Sequence, residues 1–285
     1  MGLKRTVFRS CNAIRRNFKL ELLPISDDFD AWLDQPSQLT RLFSTFGRTA
    51  EEWLSDQKVF SVRCRFDAAA ALNQFYVAFL SSPFRGQRGG SRFNNLAWLY
   101  LITKAVEPDF VIDSGTFRGA SAWAFSTAGA TVYSFDIDLS QLAHRAKNVT
   151  YSQCDWTAFD WKNHDLSRSL AYFDDHLDQV RRLIEASQRR IPLAIYDDDF
   201  PITSFAAMAR GGDSLPKIEF VLDDELRQYR DISWMDRNER HVFPLDHAYL
   251  DRARSLIADT ARLPDTSSVT GIQQTPYRVV RIANA

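Results

Sequence analysis

Between residues 110 and 222 the chain repeats one pattern six times: a short apolar run, then a carboxylate. The runs are 110–112, 131–135, 149–152, 170–173, 192–196 and 218–222. They are stopped by Asp113, by Asp136, by Asp155, by Asp174-Asp175, by Asp197-Asp198-Asp199 and by Asp223-Asp224-Glu225. Segments with helical spacing, 93–106, 120–128 and 178–189, fall between them, and 277–282 reads as a last strand. Short apolar strands alternating with amphipathic helices predict a mostly parallel sheet covered on both faces. In such a sheet a ligand sits beyond the carboxyl ends of the strands, where the strand order reverses. A single aspartate there caps the helix that follows it. Acidic pairs and triplets after three separate strands repel one another, which calls for a cation or a donor-rich ligand.

Residues 27–80 predict helices ahead of this domain. Asp27 or Asp28 is placed as a cap, a second helix starts at Thr49, and a third covers 68–80. The loop-like composition of 81–91 sets the boundary, with residues 1–85 a basic arm and helical region and 86–285 the main domain. Residues 1–20 hold six Lys and Arg and no acid, too broken by charge for a secretory signal. A packed arm, peripheral contact with an anionic membrane or glycan, and a targeting peptide all fit that segment. With 35 basic and 36 acidic residues the chain has net charge −1, so no nucleic-acid partner is expected, although a local basic patch is compatible with it. Three widely spaced cysteines exclude a secreted disulfide framework, and a cytoplasmic, homo-oligomeric protein is expected.

The first turn, Asp113-Ser114-Gly115-Thr116-Phe117-Arg118-Gly119, follows a strand and opens a helix. It is neither Gly-x-Gly-x-x-Gly nor a P-loop. Asp136 ends the second strand, where a carboxylate accepts ribose hydroxyls. Together the Gly turn and the ribose acid mark an adenosine-type ligand. This turn resembles the first motif of class I S-adenosylmethionine-dependent methyltransferases, nearest the macrocin O-methyltransferase and cephalosporin-hydroxylase-like branch. Tyr-Phe-Asp174-Asp175-His176 and Ile-Tyr-Asp197-Asp198-Asp199 are similar to that branch's fourth- and fifth-strand motifs, over about residues 90–225. One residue rather than two separates Asp174 from His176.

The resemblance implies a Rossmann-like, doubly wound, seven-stranded α/β sheet with an antiparallel last strand. It implies S-adenosylmethionine held at Asp113, Gly115, Thr116, Phe117, Gly119 and Asp136, with Asp155 near the adenine. It also implies Mg2+ on Asp174, Asp197 and Asp198, with His176 as base beside Asp174. The expected acceptor is a hydroxyl of a sugar, glycan or small natural product; Trp156, Trp161 and Phe200 are candidates to stack on it or, equally, to cover the core. Residues 227–243, with Trp234 and Arg237, read as a solvated face or a lid. A non-catalytic module that keeps the fold and works in a larger assembly is the alternative. A nicotinamide-dependent oxidoreductase is disfavoured by the missing third glycine and the lack of a Tyr-x-x-x-Lys pair.

Overall fold

The computed structural model describes residues 36–60, 64–86, 90–204, 214–236 and 238–283. Residues 1–20, Asp27, Asp28 and Arg237, named above, lie outside them. Helix α1 (Pro36–Asp56) buries Leu42, Phe43, Phe46, Ala50, Trp53 and Leu54, a stripe at three- and four-residue spacing. It runs through Thr49, whose hydroxyl donates to the Thr45 carbonyl at 3.1 Å, so the expected helix start there is corrected to a helix interior. Helix α2 (Ala68–Leu80) starts where predicted, with Asp67 accepting the Ala70 N–H. Gly47 lets α1 and α2 meet: a Cβ there would stand 2.6 Å from the Ala69 nitrogen. Helix α3 (Phe93–Val106) is buried at every position from Phe93 to Thr103, and its Trp98 ring lies between Phe46 and Trp53.

The strands are β1 (Phe110–Ser114), β2 (Val132–Phe135), β3 (Val149–Ser152), β4 (Ser169–Phe173) and β5 (Leu193–Tyr196). Helices α4 (Ala120–Thr127) and α5 (Gln179–Gln188) sit among them. A short helix α6 (Ile218–Leu222), a hairpin of β6 (Asp231–Asp236) and β7 (Glu239–Pro244), and α7 (His247–Ser255) follow. Strand β8 (Ile257–Arg262), α8 (Ser267–Thr270) and β9 (Arg278–Ile282) complete the order. The main sheet runs β3-β2-β1-β4-β5-β9-β8, with β1 to β5 parallel and β9 antiparallel to both neighbours. This is the Rossmann-like seven-stranded sheet expected, and the order reverses between β1 and β4. Side chains alternate between two cores: Val111, Leu170, Ile195 and Val279 face α1 to α4, while Ile112, Ala171, Ala194 and Val280 face α5 to α7.

The sixth predicted strand is a correction. Residues 218–222 are helical because the first free N–H groups find side-chain acceptors: Gln179 takes Ile218 and Asp199 takes Glu219. Its place in the sheet is filled by β8, whose polar edge sequence Ile-Ala-Asp-Thr-Ala-Arg carries little apolar signal. Asp223 therefore caps a turn and Asp224 pairs with Arg254, both away from the strand tips.

Candidate active site

The tips of β1, β2, β4 and β5 and the turn after β3 open into one cavity of about 580 Å³, within the range of small-molecule sites. Strand β1 ends in the Gly turn. Gly115 has φ +107°, and a Cβ on it would lie 2.4 Å from the Asp174 carbonyl oxygen, so the turn presses on the chain leaving β4. The Gly115 and Thr116 N–H groups both donate to the Phe135 carbonyl at the end of β2. Asp136 then clamps the turn: its Oδ2 accepts the Phe117 N–H at 2.8 Å and its Oδ1 accepts the Asp138 N–H at 3.1 Å. Each oxygen keeps a lone pair for a ligand hydroxyl.

Gly115, Phe117, Asp136 and Asp155 line the cavity, as do Asp174, His176, Asp197 and Asp198. Asp113, Thr116 and Gly119 do not line it. Asp113 is fully buried beneath the turn and accepts the Ser134 hydroxyl at 2.5 Å. Burial pushes its carboxyl up to about 7, against the Ser134 hydrogen bond. Thr116 bonds Ser134 at 2.6 Å and lines only a small side pocket. Gly119 sits at the start of α4, where a Cβ would lie 2.8 Å from Leu142 Cδ1 and 3.1 Å from the His144 carbonyl oxygen. These three hold the turn from behind.

Asp155 is bound before any ligand arrives. Its Oδ1 accepts the Thr157 N–H and hydroxyl, and its Oδ2 accepts Arg182 at 2.7 Å. Burial works against its charge, yet Arg182 and Thr157 hold it at about 2. Arg182, on α5, is itself buried and also pairs with Asp175 and Glu185 at 2.7 Å each. Asp175 takes the Ser114 hydroxyl at 2.7 Å. One guanidinium thus fastens the tips of β3 and β4 to α5.

On the other side, Asp174 and Asp197 share the Tyr172 hydroxyl, at 3.4 and 3.0 Å. Burial, then Asp197 and Asp198, push Asp174 well above the usual carboxylate range. Burial, then Asp198, push Asp197 up to about 7, against hydrogen bonds from Thr275 and the Asp198 N–H. His176, at φ +54°, places Nε2 3.9 Å from Asp174 Oδ1. Among the described residues no three His, Cys, Asp or Glu side chains form a group ready to hold a metal ion. Asp199 belongs elsewhere: it is fully buried and paired with Arg278, which also reaches Glu219.

Sequence reasoning missed Ile137, which lines the cavity while 80 % exposed, and Ser91, Arg92, Asn95, Gln273 and Thr275, which form its far wall. Ile137 follows Asp136 directly, so its neighbour was the available signal. The far wall comes from segments some 180 residues apart, and no local pattern joins them. Of the two readings for the aromatic candidates, covering the core holds. Trp156 is fully buried, Trp161 stacks on Phe110, and Phe200 packs partly buried against the core on the α5 side of the sheet, so none of the three lines the cavity. Trp234 lies in β6, stacked on His241 in the hairpin. No helix among the described residues is long and apolar enough to cross a membrane.

No family model and no curated protein matches the chain. Solved structures do. The one described as "cmcI-D160 Mg-SAM" is 20% identical, with 40% of this chain aligned to 56% of that one at a TM-score of 0.33. This chain therefore spans a little over half of that protein's length. A putative O-methyltransferase from Klebsiella pneumoniae is 12% identical over 86% of this chain and 99% of its own, at a TM-score of 0.43. The SAH-bound methyltransferase PaMTH1 of Podospora anserina is 14% identical over 100% and 98%, at a TM-score of 0.41.

Proposed function

We propose that the chain is an S-adenosylmethionine-dependent O-methyltransferase acting on a hydroxyl of a sugar, glycan or small natural product. The observation that carries this reading is the meeting of the Gly115 turn, the Asp136 carboxylate and the acidic tips of β4 and β5 around one cavity. The cradle fits a nucleoside: Gly115 brings bare backbone to the cavity wall, Asp136 offers paired acceptors, and Ile137 offers an apolar face beside them. Bound there, S-adenosylmethionine supplies a methyl group on a sulfonium, a good leaving group.

The chain must then align the acceptor and remove its proton. His176 lines the cavity with Nε2 3.9 Å from Asp174 Oδ1, and on this reading it takes the hydroxyl proton at Nε2. We assign Mg2+ to Asp174, Asp197 and Asp198. Support comes from the charge gathered at all-oxygen donors, which Mg2+ prefers, rather than from a preformed ligand group. Such an ion would lower the pKa of a coordinated hydroxyl.

Calorimetric titration with S-adenosylhomocysteine tests the first part: binding is expected, and Asp136→Ala abolishes it. A folded wild-type protein that shows no heat overturns the assignment and favours the non-catalytic module. Titration with MgCl2 in the presence of S-adenosylhomocysteine tests the second, with Asp197→Asn removing the Mg2+ signal only.

A further inference from the structure

Beyond Phe117 the cavity mouth gives way to segments rich in basic side chains. The cavity is lined by six aspartates and two arginines, and one of those, Arg182, is taken up by three carboxylates. Outside, three stretches of chain meet. The Phe84 ring lies 6.2 Å from the His144 ring, and the Ala143 N–H donates to the Arg118 carbonyl at 3.1 Å. Residues 81–95, 114–128 and 139–154 contain no Asp or Glu. They carry Arg85, Arg118, His144, Arg145 and Lys147 around the shoulder where Phe84 meets His144 and Arg118 meets Ala143, with Asp136 and the exposed Asp138 at its border. Arg85, Arg145 and Lys147 are exposed, and among the described residues they form no ion pair with a carboxylate. Arg145 lies over the Tyr151 ring at 5.2 Å, and Arg118 over the Phe117 ring at 5.3 Å. A small pocket lined by Phe84, Gly90, Ser91, Phe117, Arg118 and Asp174 joins the shoulder to the interior, since Gly90, Ser91, Phe117 and Asp174 line both.

We propose that this basic shoulder docks the anionic part of the acceptor, an oligosaccharide carrying sulfate esters, while its neutral hydroxyl end reaches the acidic interior. The inference rests on the methyl-transfer reading for the acceptor's role, and on charge placement alone for its anionic character. Ester anions are repelled by the interior aspartates and attracted by the shoulder, so the field orients the molecule before contact. Exposed charges act over about a Debye length, so the attraction fades in salt.

The test uses the full chain and three probes, a heparin hexasaccharide, neutral maltohexaose and a short DNA duplex, followed by calorimetry. The variant is Arg85→Glu/Arg145→Glu/Lys147→Glu, three exposed positions outside the catalytic and cofactor sites, with the milder triple Ser variant as a check on folding. The native protein is expected to bind the hexasaccharide and not maltohexaose. Affinity is expected to fall roughly tenfold or more in the Glu variant, and likewise between about 50 and about 300 mM NaCl. S-Adenosylhomocysteine affinity should stay the same in all three proteins. The proposal is overturned if both variants bind the hexasaccharide as the native chain does, which hands the binding to another basic segment such as residues 1–20. It is equally overturned if maltohexaose binds as well, or if duplex DNA binds more tightly than the hexasaccharide. Loss of homocysteine-ligand binding with hexasaccharide discrimination intact would sink the methyl-transfer reading and leave the shoulder standing.

Discussion

Arg182→Met removes the one guanidinium that neutralises Asp155, Asp175 and Glu185 together. Methionine fills most of the same buried space, so the loss is one of charge rather than volume. Asp155 gives a scale. Its carboxyl falls from 3.8 to about 2 on folding, and at ~1.4 kcal/mol per unit, discounted for solvent screening of this partly exposed group, that is about 1–2 kcal/mol at neutral pH. Asp175 and Glu185 lose the same partner, and breaking a buried pair typically costs about 3–5 kcal/mol. Urea unfolding at pH 7 should therefore show a loss of at least about 3 kcal/mol. The pH dependence has a definite sign. A depressed acid contributes stability above its unfolded pKa and loses it as pH falls through the folded value. Wild type should lose this contribution between pH 3.8 and about 2, and the variant should have none to lose there. A destabilisation below about 1 kcal/mol, or an unchanged acid limb, would show that the three carboxylates are not held by Arg182.

Asp113 has the opposite sign: burial raises it from 3.8 to about 7, so its contribution is full below 3.8 and is lost as pH rises through 7. Asp113→Asn should flatten the thermal-melting profile between pH 3.8 and about 7, by at most about 4 kcal/mol, as read by circular dichroism. Gly115→Ala sets a Cβ 2.4 Å from the Asp174 carbonyl at a positive φ. It should cost about 1–3 kcal/mol and remove S-adenosylhomocysteine binding in calorimetry. Ile137→Ala should weaken that binding while changing stability by less than about 0.5 kcal/mol, because the side chain touches solvent rather than core.

The sequence showed the parallel half of the sheet well, because strands buried on both faces must be apolar throughout and the tips that follow them are marked by aspartate. Where burial is one-sided, the signal thins. Strand β8 lies at the sheet edge with Asp259 paired to Arg281, and it reads as polar loop. The hairpin of β6 and β7 alternates exposed and half-buried residues, and its charges read as a solvated face. Residues 218–222 failed for the reverse reason: five apolar-rich residues fit strand and helix equally, and Gln179 and Asp199 decide between them from a distance. At the site, Gly115, Asp136, Asp174 and Asp197 were readable because each stands next to a strand end. Nothing in Asp113 itself told that it would turn inward to Ser134 rather than toward the cavity, and Arg182 gave no local sign that it would gather three acids.

Strand β9 slips between β5 and β8, and the residues leading into it finish the cavity from behind. Thr275 bonds Asp197, Tyr277 bonds Tyr172, and Arg278 anchors Asp199. During synthesis the ribosome delivers these residues after every other part of the site. A nascent chain with β1 to β5 already paired would hold an unbraced acidic wall, and competence would arrive in a single late step when the last strand inserts.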